Sequence, residues 1–264
     1  MNTPLPFDHR DSAHIPGHWL LARLGKRVLR PGGIELTERM LDAAHLPGAD
    51  VVELAPGLGK TATAILGRVP ASYRGVEADA AAAARSAEVI GTAGTVTTGD
   101  AADTGLAASS ADAVVGEAML TMQTDPHKSA IIAEAFRVLR PGGRYAIHEL
   151  ALTPDDLDGG IKTEIRKALA RSIKVNARPL TRAEWTDLLT AGGFEIETVT
   201  FAPMALLRPR RVIADEGLLG TARIVRNVLR DRSARQRVLA MRATFNTHRR
   251  ALVAIAVVAR KPNA

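Results

Sequence analysis

Val51-Val52-Glu53-Leu54-Ala55-Pro56-Gly57-Leu58-Gly59 decides the fold of this chain. Val51 to Leu54 is a short, mostly apolar run, the pattern of a strand buried on both faces. The Gly-x-Gly after it lets the backbone turn tightly, and Lys60 to Val69 then reads as a helix. Strand, glycine turn and helix in that order put the turn at a strand's carboxyl end. Open α/β sheets bind ligands at that edge.

The same alternation recurs outward from this segment. Gly75-Val76-Glu77 reads as a second strand with a helix from about Asp79 to Ile90, and Thr95 to Thr98 and Ala111 to Val115 read as the third and fourth strands. Asp125-Pro126 opens a helix, with Asp125 as N-cap and Pro126 at the first helical position. Pro141-Gly142-Gly143 stops it, and Tyr145 to Leu150 is the fifth strand. This rhythm predicts an α/β fold with a mostly parallel sheet and helices on both faces.

After Leu152 the rhythm changes: residues 155–176 look helical and amphipathic. Thr181-Arg182-Ala183-Glu184 is a capping box opening another helix, which ends at Gly192-Gly193. Phe194 to Phe201 and Ala251 to Ala259 read as strands, and residues 215–248 between them as two arginine-rich helices.

Three nucleotide-binding readings of the glycine turn compete. Gly59-Lys60-Thr61 resembles the tail of a phosphate-binding loop, but that loop needs glycine where Leu54 stands. Gly57-x-Gly59-x-x-Ala62 with Glu77 downstream satisfies a nicotinamide-type fingerprint. Tyr73 and Tyr145 meet Glu77 and Glu149 four residues later, so the tyrosine–lysine hydride-transfer pair is absent, while other dehydrogenase types stay open.

The third reading accounts for more residues. An acid before a Gly-x-Gly turn, Glu77 closing the second strand, Gly99-Asp100-Ala101 after the third and Glu117 after the fourth form an ordered series at strand ends. With Arg137-Val138-Leu139-Arg140-Pro141-Gly142-Gly143 before the fifth strand, the series resembles the class I S-adenosylmethionine-dependent methyltransferases, in their small-molecule, quinone-biosynthesis-like branch. The likeness spans residues 30–205 and the final strand. It implies a Rossmann-like seven-stranded sheet whose last strand is antiparallel. It also implies S-adenosylmethionine as cofactor and S-adenosylhomocysteine as product.

By that resemblance, Glu53 organises the loop beside the methionine moiety, with Ala55, Pro56, Gly57 and Gly59 forming the turn. Glu77 accepts the two ribose hydroxyls, a task for a two-oxygen acceptor, with Ala78 beside it. Asp100 and Ala101 read the adenine, and Glu117 stands at the active-site mouth. Arg30 and Gly33 are further candidates near the methionine end. Ala55-Pro56 departs from the small or acidic residues and glycine or cysteine of many relatives; proline should stiffen the loop without closing it.

Methyl displacement from a sulfonium needs alignment and desolvation first, and a base only where the acceptor must lose a proton. The candidates are Glu117 and His148, with His127 nearby. Because side chains alternate along a strand, His148 and Glu149 should face opposite ways. His14 and His18 are separated by Pro16-Gly17 and have no third partner, so no metal site is expected.

We expect residues 1–49 to be an N-terminal helical cap segment and residues 50–264 the Rossmann-like domain, with helical lid insertions near 155–176 and 205–248. The absence of cysteine excludes disulfides and thiolate chemistry and suits a cytoplasmic protein. Met1 to Ser12 lacks the apolar core of a secretory signal, and the nine-residue run Ala251 to Ala259 is too short to span a bilayer. Residues 1–150 carry 14 Lys and Arg against 17 Asp and Glu, whereas residues 151–264 carry 21 against 11.

That basic half raises RNA as an alternative substrate, and an NAD(P)-dependent oxidoreductase is the remaining rival. Aromatic residues at 3% leave few platforms for unstacked bases. Gly116-Glu117-Ala118-Met119 is also not the Asp/Asn-Pro-Pro-aromatic motif of amino-directed base methylation. A small, apolar or weakly acidic acceptor under a helical lid is therefore expected, rather than nucleic acid. The arginine-rich helices would also suit a homodimer interface.

Overall fold

The computed structural model describes residues 5–7 and 9–263. Its strands are β1 (Asp50–Leu54), β2 (Ser72–Glu77), β3 (Thr95–Thr98), β4 (Ala111–Glu117), β5 (Leu139–Leu152), β6 (Leu180–Thr181), β7 (Glu195–Pro203) and β8 (Leu252–Arg260). They form one sheet in the order β3-β2-β1-β4-β5-β8-β7, with the two-residue β6 added beside β5. β8 alone is reversed, antiparallel to both β5 and β7. The expected seven-stranded path and its antiparallel last strand are thus present, with β6 as an eighth, minor strand.

Alternate residues of β1 serve opposite faces, as a doubly covered strand requires. Val51 packs with Val115, Ala146 and Ala256 beneath Leu36, Met40 and Leu41 of α2 (Gly33–Ala43). Val52 packs with Val114, Ile147 and Val257 against Ile131 and Ala135 of α5 (Asp125–Val138) and Trp185 of α7 (Arg182–Ala191). Between β1 and β3 run α3 (Lys60–Leu66) and α4 (Ala80–Ile90), the latter N-capped by Asp79.

Two local readings need correction. Thr124, not Asp125, caps α5: its hydroxyl accepts the His127 N–H, and Pro126 falls at the second helical position. Proline is harmless there because the first four N–H groups of a helix have no helical partner. Pro141-Gly142-Gly143 does not precede the fifth strand but bulges out of it. Ala111 pairs with Leu139 and Ala113 with Arg144, and Gly142 takes a φ of 78°. The capping box at Thr181 and Glu184 forms as read, with both reciprocal hydrogen bonds.

The remaining helices gather beyond the carboxyl ends of the parallel strands. They are α1 (Gly17–Arg23), α6 (Gly159–Ile173), α8 (Pro209–Arg230) and α9 (Arg232–Thr247). Leu20, Leu21 and Leu24 around α1 bury against Ala234 and Met241 of α9. α8 bends at Gly217, whose φ of 71° and ψ of 176° are not helical. Its first half is tied down by buried charge: Lys26 lies 3.5 Å from both Asp215 and Glu216, and Arg211 lies 2.8 Å from Asp215. Glu216 Oε1 also accepts the N–H groups of Arg27 and Val28, each at 2.8 Å.

Candidate active site

A cavity of about 540 Å³ opens where β1, β2 and β4 end, within the usual size of small-molecule sites. The turn after β1 forms its floor. Ala55, Gly57 and Gly59 all have positive φ, at 56°, 56° and 72°. A Cβ added to Gly57 would find only the Ala55 carbonyl, at 3.9 Å, so this backbone is bare toward the cavity. Gly59 plays another part. It N-caps α3, does not line the cavity, and faces Val89 so closely that an added Cβ would come within 3.0 Å of that side chain. Of the ten cofactor-binding residues expected from sequence, the other nine do line it: Glu53, Ala55, Pro56, Gly57, Glu77, Ala78, Asp100, Ala101 and Glu117.

Each strand-end acid has its own support. Glu77 accepts the Gly57 N–H at 2.9 Å and the Asp79 N–H at 3.2 Å, so one carboxylate fixes both adjoining turns. Burial pushes its pKa up. Glu53 is fully buried and accepts the Tyr73 hydroxyl at 2.6 Å. Burial, with help from the Glu117 and Glu77 charges, raises it to about 8. Asp100 sits more openly at the rim, where its Oδ1 accepts the Ala102 N–H at 2.8 Å and lies 3.5 Å from His127 Nε2.

Glu117 behaves oppositely. Burial opposes its charge, but the Arg30 guanidinium and hydrogen bonds from His148 and Thr37 hold its pKa down at about 2. Arg30 Nη1 stands 3.1 Å from Oε2, Thr37 donates to Oε1 at 2.5 Å, and Thr61 donates to Oε2. His148 Nδ1 lies 2.8 Å from Oε1, while its Nε2 accepts the Gly32 N–H at 3.1 Å. An N–H can only donate, so the imidazole proton sits on Nδ1 and points at Glu117.

Both residues expected as bases are therefore spent on each other. His148 is fully buried, does not line the cavity and has neither nitrogen free. Glu117 reaches the cavity wall, but as an anchored carboxylate with donors from four side chains it is a poor proton acceptor. The pair fastens α2, α3 and the Arg30 loop to the sheet. Gly33 likewise lies outside the cavity and packs against Arg211, whereas Arg30 lines it. Glu149 points the other way from His148, as alternation requires. It accepts the N–H groups of Met119, Leu120 and Thr121 at 2.9, 2.7 and 3.0 Å.

A second, apolar chamber of about 100 Å³ adjoins the first under the lid. Leu169 and Ile173 of α6 and Met241 and Phe245 of α9 wall it, with Leu21 of α1. His18, Leu29, Ala118 and Met122 line both spaces. Sequence reading weighed His18 only as a metal ligand and missed its place beside the cavity. His18 stands at the border, stacks obliquely on Trp19 with ring centroids 5.1 Å apart, and burial lowers its pKa to about 4. No group of three or more metal-binding side chains occurs among the described residues.

Residues 51–143 match the family model described as a methyltransferase domain. An uncharacterized protein of Haemophilus influenzae is 33% identical over 251 residues, covering 93% of this chain and 98% of that protein. Among solved structures, the [4+2]-cyclase SpnF superposes with a TM-score of 0.68 at 15% identity, over 100% of this chain and 99% of its own. Haemonchus contortus phosphoethanolamine N-methyltransferase 2, bound to phosphomonomethylethanolamine and S-adenosylhomocysteine, gives 0.68 at 16% identity over 94% of this chain and 58% of its own. These structural likenesses are of fold. One fold here hosts both a cyclase and a methyltransferase, so chemistry has to be argued from the site.

Proposed function

Because this chain belongs to the class I S-adenosylmethionine-dependent methyltransferases, we propose that it methylates a small, apolar or weakly acidic metabolite held between the strand ends and the helical lid. The observation that carries this reading is the junction of two unlike spaces. An acid-lined cavity with a bare glycine floor meets a chamber walled by leucine, isoleucine, methionine and phenylalanine.

The donor set of the first space fits S-adenosylmethionine. Glu77 keeps carboxylate lone pairs beyond the two backbone N–H groups it accepts, enough for a ribose diol. Asp100 and Ala101 stand at the rim for the adenine, and Glu53 with the Ala55–Gly57 backbone for the methionyl part. When bound, the cofactor supplies an electrophilic methyl group on a positively charged sulfur.

The chain's own residues then align and dry the reactants. Leu29 and Met122 present apolar walls at the junction and Met119 one in the first space, and a low-dielectric wall favours a step in which charge on sulfur disappears. Arg30 is held by Glu117, so it faces the cavity as a neutralised, fixed group rather than a mobile cation. For a hydroxyl acceptor, the O–H bond breaks as the O–CH₃ bond forms, and His18 takes the proton. Its low pKa keeps the imidazole unprotonated at neutral pH. It is a weak base, but an oxygen gaining a methyl group becomes a far stronger acid than imidazolium.

The test is transfer of label from [methyl-³H]S-adenosylmethionine by the purified protein to pooled small metabolites and, separately, to total RNA. Label in solvent-extractable, apolar products supports the reading. Label confined to RNA replaces it with the nucleic-acid alternative.

A further inference from the structure

The outer face of α8 presents a pattern that neither cavity uses. After the bend at Gly217, Leu218, Ala222, Val225 and Leu229 recur at helical spacing, and all four are exposed. Beside this row runs a second one, Leu219, Arg223, Arg226 and Arg230, equally exposed. Leu219 is 87% accessible, Leu218 75% and Leu229 63%, values far outside those of side chains that pack within a protein. A contiguous apolar row of this kind marks a surface that meets something.

Charge decides what it meets. Residues 208–250 contain 12 arginines and only three acids. Asp215 and Glu216 are buried with Lys26, and Asp231 caps α9 while accepting the Ser12 hydroxyl at 2.6 Å. The face therefore has no exposed carboxylate of its own to offer. A second copy brought against it would set arginine against arginine. A nucleic acid would match the charge but leave the leucines wet. An anionic lipid surface satisfies both rows: acyl chains take the leucines and headgroup phosphates the arginines.

We propose that α8 from Leu218 to Arg230 is an interfacial helix that docks this protein on anionic membranes. About 13 residues at roughly 1.5 Å each give close to 20 Å of helix lying in the interface plane. This is peripheral binding, since no helix among the described residues is long and apolar enough to cross a membrane. Docking does not depend on the methyl-transfer reading, although it would set an apolar chamber walled by the neighbouring α9 close to a reservoir of apolar molecules.

The experiment is co-sedimentation of the full chain with vesicles of phosphatidylcholine alone and of phosphatidylcholine containing phosphatidylglycerol. The wild type is expected on the anionic vesicles only, and to leave them as salt rises. Replacing Arg223, Arg226 and Arg230 by Gln should lower partitioning about a hundredfold, at about fivefold per arginine. Leu219→Ser with Leu229→Ser should lower it at least tenfold. Both variants should melt at the wild-type temperature, because these side chains have no interior role. Equal binding to both vesicle types, or to neither, overturns the proposal. So does a dimer that the leucine variant disperses, or RNA binding that only the arginine variant loses.

Discussion

The two sides of the active cavity are built on opposite principles. On the strand-end side, carboxylates that close successive strands are held by backbone N–H groups and neighbouring side chains. Glu77 fixes the turns at Gly57 and Asp79, and Glu117 gathers Arg30, Thr37, Thr61 and His148. On the lid side, α1, α6, α8 and α9 meet through apolar packing and one buried ion-pair cluster at Lys26. Short-range hydrogen bonding makes a preformed donor site. Long-range packing makes a cover whose shape can vary without disturbing it.

The largest effect that would sharpen this contrast is expected on the strand-end side. Glu77→Ala removes the diol acceptor and frees two turns. It should weaken S-adenosylhomocysteine binding at least a hundredfold by calorimetry, about 3 kcal/mol for two charged hydrogen bonds. An affinity within threefold of wild type would break the assignment.

Next comes pH. Glu53 has a pKa raised from 4.5 to about 8, so the folded state prefers its protonated form. Its contribution is complete below 4.5 and is lost as pH rises toward 8, a decline on the order of a few kcal/mol. Glu117, lowered to about 2, has the reverse sign and contributes fully above 4.5, losing its effect as pH falls toward 2. Urea unfolding across pH 5 to 8 should show Glu53→Gln with a flatter profile than wild type; parallel profiles would contradict the burial argument.

On the lid side, Glu216→Ala strips an acceptor from the Arg27 and Val28 N–H groups and leaves Lys26 with Asp215 alone. We expect about 2 kcal/mol of destabilisation by thermal unfolding, with donor affinity within twofold. A loss of donor affinity as large as that of Glu77→Ala would dissolve the division between the two sides. The smallest effect is His18→Gln, expected to lower kcat about tenfold, below the usual range for general-base catalysis because a pKa near 4 makes it a weak base, while donor affinity stays unchanged. A change confined to KM would make His18 a binding group instead.

The same contrast explains what the sequence disclosed. Strand-end acids and glycine turns are local: Glu53, Gly57, Glu77 and Asp100 fall at fixed distances from short apolar runs, and the turn geometry follows from residue type. His148 was legible as one of two alternating faces, but which layer covers that face depends on α2, a hundred residues earlier in the chain. Only the fold reveals that Gly32 and Glu117 occupy both ring nitrogens. His18 carried no local signal, because its importance comes from where α1 lies across the mouth of the cavity. The two arginine-rich helices were visible, but not their bend at Gly217 or the burial of Lys26 beneath them.

The most direct test of the two-sided account is a crystal structure with S-adenosylhomocysteine. The account predicts the nucleoside against Glu77 and Asp100, the thioether directed toward His18 and the apolar chamber left free. Ligand bound inside that chamber, with the Gly57 floor bare, would contradict it.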